Sequence, residues 1–158
     1  MSKKFKVYAV FILIALAIEG LGMLITKNNV GIYSQLNQPP LAPPGALFPV
    51  VWSILFILMG ISSAQVYLKR DEFRDKVNSA LVIYGIQLAV NFFWGIIFFN
   101  MRAYLFAFIW LLLLLVLIVM MILQFKKVNP RAAYLQIPYF LWVIFAGYLN
   151  LMIYILNG

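Results

Sequence analysis

The segment Gln38-Pro39-Pro40-Leu41-Ala42-Pro43-Pro44-Gly45-Ala46-Leu47-Phe48-Pro49-Val50-Val51-Trp52 is the part of the chain around which the rest is organised. Five of its fifteen residues are proline. Each proline fixes φ and biases the residue before it towards extended backbone, so the segment reads as a stiff loop. It runs straight into an apolar helix. Pro43 and Pro44 suit the approach to that helix, and Pro49 falls in its first turn, where a missing N–H is tolerated. The loop thereby delivers Trp52 just inside an apolar run, and it reads as the lid and one wall of a binding site. Upstream, Asn28-Asn29-Val30-Gly31 is a turn signal. The connection from Thr26 to Gly45 is thus long for a chain of 158 residues, and such loops in compact domains usually carry function.

Outward from this loop, almost everything is apolar. The composition is 66% hydrophobic and 10% charged, against about 25% charged in a soluble domain. Five apolar runs stand out, at Phe5–Ile25, Ala46–Leu68, Val77–Phe99, Ala103–Phe125 and Ala132–Leu156. Each is long enough, at roughly 20 residues, to cross about 30 Å of hydrocarbon as a helix. Helices satisfy their own backbone groups in lipid. A run such as Leu111-Leu112-Leu113-Leu114-Leu115 has none of the alternation of a barrel strand. The expected fold is therefore an all-α integral membrane protein. It is a single domain over residues 1–158, a five-transmembrane-helix bundle with a long proline-rich loop between its first two helices.

The net charge of +8 would point to nucleic acid in a soluble protein. Here topology explains it better. Lys3, Lys4, Lys6, Lys69, Arg70, Arg74, Lys76, Lys126, Lys127 and Arg131 all fall on one side of a five-span chain, and only Lys27 and Arg102 on the other. Cytoplasmic segments carry the excess of Lys and Arg. The N-terminus is expected in the cytoplasm and the C-terminus outside, in a bacterial cytoplasmic membrane, with no nucleic-acid partner. The basic N-terminal arm, the stretch from Val7 and Ala15-Leu16-Ala17 also resemble a signal peptide. The apolar run continues through Ile25, however, longer than a signal core needs. Asp71-Glu72-Phe73-Arg74-Asp75-Lys76 reads as a solvated turn.

With no cysteine and no histidine, the chain excludes thiol chemistry, disulfides, thiolate metal sites and His-based acid–base catalysis. Ser53, Ser62 and Ser63 have no His partner, and no metal site is expected. Glu19 is the only acid within a span. It reads either as a carboxyl hydrogen-bonded inside the bundle or as a proton-coupling or ligand-contacting group. The main amides are Gln87, Asn91 and Asn150, and the tryptophans are Trp52, Trp94, Trp110 and Trp142. With the N-terminus inside, Glu19, Trp52, Asn91, Trp94 and Asn150 lie on the side of the proline loop and Trp142 lies near the middle. The opposite halves read as plainly apolar. This asymmetry places a cavity under the loop.

Helical spacing supports shared faces. Phe48, Trp52 and Phe56 recur every four residues. Gln87, Asn91, Trp94 and Phe98 form a second stripe, and Tyr139, Trp142, Ala146 and Leu149 a third. Such stripes also arise from packing alone, and Trp and Tyr near span ends also serve as interface anchors. Asn91 and Asn150 also suit bonds between helices. Gly60/Ala64 and Ala103/Ala107 suit close helix packing or dimerisation. Tryptophan and tyrosine around an apolar pocket suit a flat, hydrophobic, aromatic ligand.

Three stretches in order carry a resemblance over almost the whole chain. They are Tyr33 through Trp52 with Met59-Gly60, then Gln87-Leu88-Ala89-Val90-Asn91-Phe92-Phe93-Trp94 with Phe98-Phe99, and then Leu135-Gln136-Ile137-Pro138-Tyr139-Phe140-Leu141-Trp142 with Phe145-Ala146 and Leu149-Asn150. Together they resemble the TspO/MBR family of tryptophan-rich sensory proteins and translocator (peripheral benzodiazepine receptor) proteins. The resemblance implies a five-helix bundle, a homodimer in bacteria, and a pocket under the first loop. It implies binding of porphyrins, haem-type tetrapyrroles and benzodiazepine-site ligands, with no required cofactor and with membrane lipid as the surroundings. Carried over by position, Tyr33, Pro43, Trp52, Asn91, Trp94, Trp142, Ala146 and Leu149 would line the pocket, joined by Phe48, Phe56 and Tyr139 from the stripes. Trp52 and Trp142 match tryptophans tied to light-dependent porphyrin breakdown in some members, which makes them the only catalytic candidates.

The leading expectation is a receptor or carrier of tetrapyrroles. The alternatives are a light- and oxygen-dependent porphyrin-degrading enzyme and a small proton-coupled transporter using Glu19. Leu41 and Ile32 stand where the family often has aromatic residues, so the roof here is less aromatic. Tyr154 is followed by Ile155-Leu156-Asn157-Gly158, without the basic residue of the animal sterol motif.

Overall fold

Backbone amides in hydrocarbon have to bond within their own segment, and the chain meets this with helix almost throughout. The structure is a computed structural model describing residues 2–158. Its helices are α1 (Lys3–Thr26), α2 (Leu47–Tyr67), α3 (Arg74–Gly95), α4 (Tyr104–Val128), α5 (Pro130–Leu135) and α6 (Ile137–Asn157). Counting α5 and α6 as one crossing, five segments are long and apolar enough to span a membrane. The architecture is thus an all-α, five-span bundle.

Local chemistry sets the helix ends. The Ser2 hydroxyl accepts from the Phe5 N–H at 3.1 Å and caps α1. Lys126 and Lys127 sit in the last turn of α4, where the helix dipole favours cations. Asn129 then caps α5, accepting from the Arg131 N–H at 3.1 Å, with Pro130 at the first position. Two details depart from a plain five-helix reading. The fifth crossing is interrupted at Gln136, because Pro138 has no N–H to offer the preceding turn. The third crossing does not simply end near Phe99. It widens into a π-helical turn over Ile96–Asn100, a local change that often accompanies a functional site.

The core shows where a uniform apolar sequence hides its faces. Along α4 the buried residues are Ala107, Leu111, Leu114, Ile118, Met121, Phe125 and Val128, alternating four and three apart. That is the spacing of a helix seam packed against neighbours. Between them Leu112, Leu113, Val116, Val119, Met120 and Leu123 are exposed, as befits a surface facing lipid. Helix α1 lies at the periphery, burying only Ala15 and Thr26, and packs chiefly on α2. Their approach is close at one point. A Cβ built on Gly60 would stand 2.6 Å from the Ile12 Cα. Gly60 therefore serves α1–α2 packing within the chain.

Polar bonds tie the remaining helices. Tyr139, wholly buried on α6, donates to Gln87 Oε1 at 2.7 Å and accepts from Asn91 Nδ2 at 2.7 Å, so one phenol bridges two turns of α3. Ser62 on α2 donates to the Ala132 carbonyl of α5 at 2.7 Å. Ser62, Ser63 and Gln136 are completely buried at the end away from the proline loop, so that half of the bundle is not plainly apolar as the sequence suggested.

The long connection is tied down by hydrogen bonds at several points. It opens with a 3-10 turn over Val30–Gln35. Asn37 and Asn157 exchange two bonds of 2.9 Å, pinning the loop to the end of α6. Tyr148 donates to the Pro40 carbonyl at 2.7 Å, and Asn29 donates to Asn100 Oδ1 at 2.8 Å. Leu41 adopts φ 70°, a left-handed conformation that is strained for a branched residue.

Three stability outcomes follow. Gly60→Ala should lower the thermal midpoint in detergent by the equivalent of about 1–3 kcal/mol, because the new methyl meets backbone that cannot yield locally. Gly85→Ala, with nothing within 4 Å of its new Cβ, should be neutral or slightly stabilising. Tyr139→Phe should cost about 1–3 kcal/mol by stranding the buried Gln87 and Asn91 amides. Thermal unfolding followed by circular dichroism, with the three variants beside wild type, checks all three.

Candidate ligand cavity

At the loop end of the bundle the helices enclose a cavity of about 520 Å³, within the range of small-molecule sites. Its walls come from α1, α2, α3 and α6, and the 3-10 turn and the start of α2 cover it. The α2 wall is the stripe Phe48, Trp52 and Phe56, one helical turn apart and facing the same space. Pro49 sits in the first turn of α2, where its missing N–H has no intrahelical partner to lose.

The aromatic side chains form a corner. The rings of Trp52 and Trp142 lie 6.5 Å apart at 89°, an edge-to-face arrangement. Phe48 meets Trp142 at 5.9 Å and 63°, and Tyr33 meets Phe48 at 5.1 Å and 82°. These contacts hold each ring's orientation. Tyr33 is buried, and its hydroxyl donates to the Pro43 carbonyl at 3.1 Å, which fixes the turn leading to α2. Burial pushes this phenol above its ordinary pKa, so it stays a neutral donor across the physiological range.

From α6 the cavity receives Trp142, Ala146 and Leu149. Ala146 leaves space that a larger side chain would fill. Gly147, its neighbour, faces the other way, with its built Cβ 3.5 Å from Leu111 of α4. From α3 come Asn91 and Trp94. The Trp94 indole donates to Asn150 Oδ1 at 3.1 Å, and Asn150 Nδ2 donates to the Tyr104 carbonyl at 2.8 Å. Asn150 thus links α6 to α3 and α4 at the cavity edge. Among the described residues, the Trp142 indole N–H has no hydrogen-bond partner.

Nine of the eleven residues singled out from the sequence converge here: Tyr33, Phe48, Trp52, Phe56, Asn91, Trp94, Trp142, Ala146 and Leu149. Two do not reach the space. Pro43 contributes its carbonyl to Tyr33 from the loop. Tyr139 lies behind the wall, its ring 6.3 Å from that of Trp52, where it orients Asn91 and Trp52. Trp110 also stands apart, donating to the Val90 carbonyl at 2.7 Å.

The wall that sequence reasoning did not assemble is α1. Glu19, Gly22 and Thr26 all face the cavity, three and four residues apart. A stripe of polar and small residues in an otherwise apolar helix was the available signal. Thr26 spends its hydroxyl on the Gly22 carbonyl at 2.9 Å. Glu19 accepts from Ser53 of α2, whose Oγ lies 3.3 and 3.2 Å from its two oxygens. The π-helical turn at the end of α3 adds Phe98, its ring 5.3 Å from that of Trp94 and tilted by 30°.

Known proteins are similar to this chain in sequence. The profile of the TspO/MBR family matches residues 9–156. The tryptophan-rich protein TspO of Chlorobaculum tepidum is 38% identical over 158 residues, covering 99% of each chain. Protein CrtK of Rhodobacter capsulatus is 34% identical over 125 residues, covering 79% of this chain and 78% of its own. The translocator protein of Ovis aries is 33% identical over 118 residues, covering 75% and 70%. With a five-span bundle and a match over nearly its whole length, the chain is a membrane protein that belongs to the TspO/MBR family.

Proposed function

We propose that this membrane protein is a receptor or carrier for porphyrins and related tetrapyrroles, bound in the cavity beneath the proline-rich loop. The observation that carries the reading is the edge-to-face pair of Trp52 and Trp142, closed by Phe48, on a largely apolar space of about 520 Å³. Two perpendicular indoles offer one face and one edge, so a broad flat ring can stack on one and abut the other. The loop beside this corner is bonded to α6 at Asn37 and Tyr148, which holds it in place over the bundle end. The charge bias supports an N-terminus in the cytoplasm and a loop outside. The bacterial cytoplasmic membrane and a homodimer, as in the family resemblance, complete the reading.

One observation favours a second reading, the light- and oxygen-dependent degradation of a bound porphyrin. Trp52 contacts both Trp142 and Tyr139, the latter hydrogen-bonded to two amides. Such a cluster of oxidisable rings beside a ligand can share an electron hole.

One titration separates these readings. Purified protein is titrated with protoporphyrin IX in the dark, following tryptophan emission, and then illuminated in air. Wild type should quench saturably, and Trp52→Ala and Trp142→Ala should each bind about tenfold more weakly, as expected for loss of a large aromatic contact. No saturable quenching overturns the tetrapyrrole reading. A new absorbing product that Trp52→Phe and Trp142→Phe lose while still binding moves the assignment to the enzyme.

A further inference from the structure

Among the described residues, Glu19 is the one acid that lines the cavity, and its surroundings leave its charge unanswered. It is half-buried on α1 and lines the cavity. An ionised carboxylate has about four acceptor sites, and within the chain it receives one hydrogen, that of Ser53. Among the described residues the only ion pair is Lys69 with Glu72, at the far end of the bundle. Lys27, two turns along α1, lines the rim of the same cavity about 12 Å further up the helix and makes no pair with Glu19.

Most other polar side chains of the cavity are bonded elsewhere, and among the described residues the Trp142 indole N–H has no partner. Asn91 Nδ2 is bonded to Tyr139, Asn150 Nδ2 to Tyr104, the Trp94 indole to Asn150 and the Thr26 hydroxyl to Gly22. Among the described residues, no donor other than Ser53 lies within hydrogen-bond distance of Glu19. A carboxylate in apolar surroundings with one neutral donor is costly, and in membranes such a group ordinarily has a partner. Trp52 precedes Ser53 in the chain and lines the same space, and an indole face beside a carboxylate is a favourable setting for a cation.

We propose that Glu19, held by Ser53, is a specificity-determining residue of the cavity. It selects ligands whose flat apolar body carries a protonated or N–H-donating nitrogen, and it disfavours those that present a carboxylate at that depth. Lys27 at the rim has the opposite preference, so an amphoteric ligand enters nitrogen first. This rests on the reading of the cavity as a ligand site and names the ligand chemistry it takes. A planar amine answers Glu19 with full charge, and an N–H at the edge of a flat ligand answers it with a neutral hydrogen bond.

The test holds ligand shape constant and changes one group. Wild type and Glu19→Gln in detergent are titrated with acridine, with aminoacridine and with acridine carboxylate, each substituted on the central ring, and with protoporphyrin IX. Empty micelles correct for partition. Wild type should bind aminoacridine about tenfold or more tighter than acridine, and acridine carboxylate more weakly than either. Glu19→Gln should bring the three within about twofold of one another, while Glu19→Asp, which keeps the charge, should restore the order. Equal affinities in wild type, or an order that Glu19→Gln leaves intact, overturns the proposal. If protoporphyrin binds saturably in that case, the tetrapyrrole reading stands and only the role of Glu19 falls. If no compound binds saturably, the cavity is not a ligand site and both fall together. Should Glu19→Gln not yield folded protein, the order of the three acridines on wild type decides alone.

Discussion

Every peptide group that lies in hydrocarbon needs a partner from its own chain, and this requirement governs the molecule from end to end. It forces the apolar runs into helices and confines irregular backbone to the ends of the bundle. The one long irregular segment, between α1 and α2, therefore has to sit over an end, and its prolines and reciprocal asparagine bonds give it a fixed shape there. A rigid cap over five helices leaves a space beneath it wherever the helices do not fill the centre. The cavity is a consequence of that arrangement, and its chemistry is a consequence of which faces the helices turn inwards.

Those faces are set by close approach and by hydrogen bonds, since apolar burial does little to distinguish core from lipid. Gly60 lets α1 lie against α2 with backbone almost in contact, which brings Glu19 beside Ser53. The Tyr139 phenol fixes the register of α6 on α3, and the same helix turn then carries Trp142 towards Trp52. Asn150 and Trp94 set the next contact above. Structural bonds and the candidate site thus share the same two stripes of α3 and α6. Replacing a residue of one is expected to be felt in the other.

Much of this was legible in the residues. The five spans follow from length and hydropathy, and the loop's stiffness from its prolines. The stripe Phe48, Trp52, Phe56 follows from helical spacing. The legible part ended where hydropathy stops discriminating. In α4, Leu111 and Leu114 are buried while Leu112 and Leu113 face outwards, and no property of leucine separates them. Tyr139 shares its stripe with Trp142 yet turns behind the wall, because it has two buried amides to satisfy. The α1 wall was missed because its signal, a glutamate, a glycine and a threonine on one face, is faint among apolar neighbours.

The sequence by itself determined the class of the fold, the number of crossings, the stiff cap and the identity of the aromatic residues, because these depend on local backbone chemistry and on the cost of polar groups in lipid. Tertiary structure alone decided which rings meet at right angles, that Pro43 and Tyr139 support the cavity without lining it, and that Glu19 faces the cavity with one neutral partner. The reason is physical: in a bundle whose inside and outside are equally apolar, rotation of each helix about its axis is fixed by contacts with other helices, and those contacts exist only once the chain has assembled.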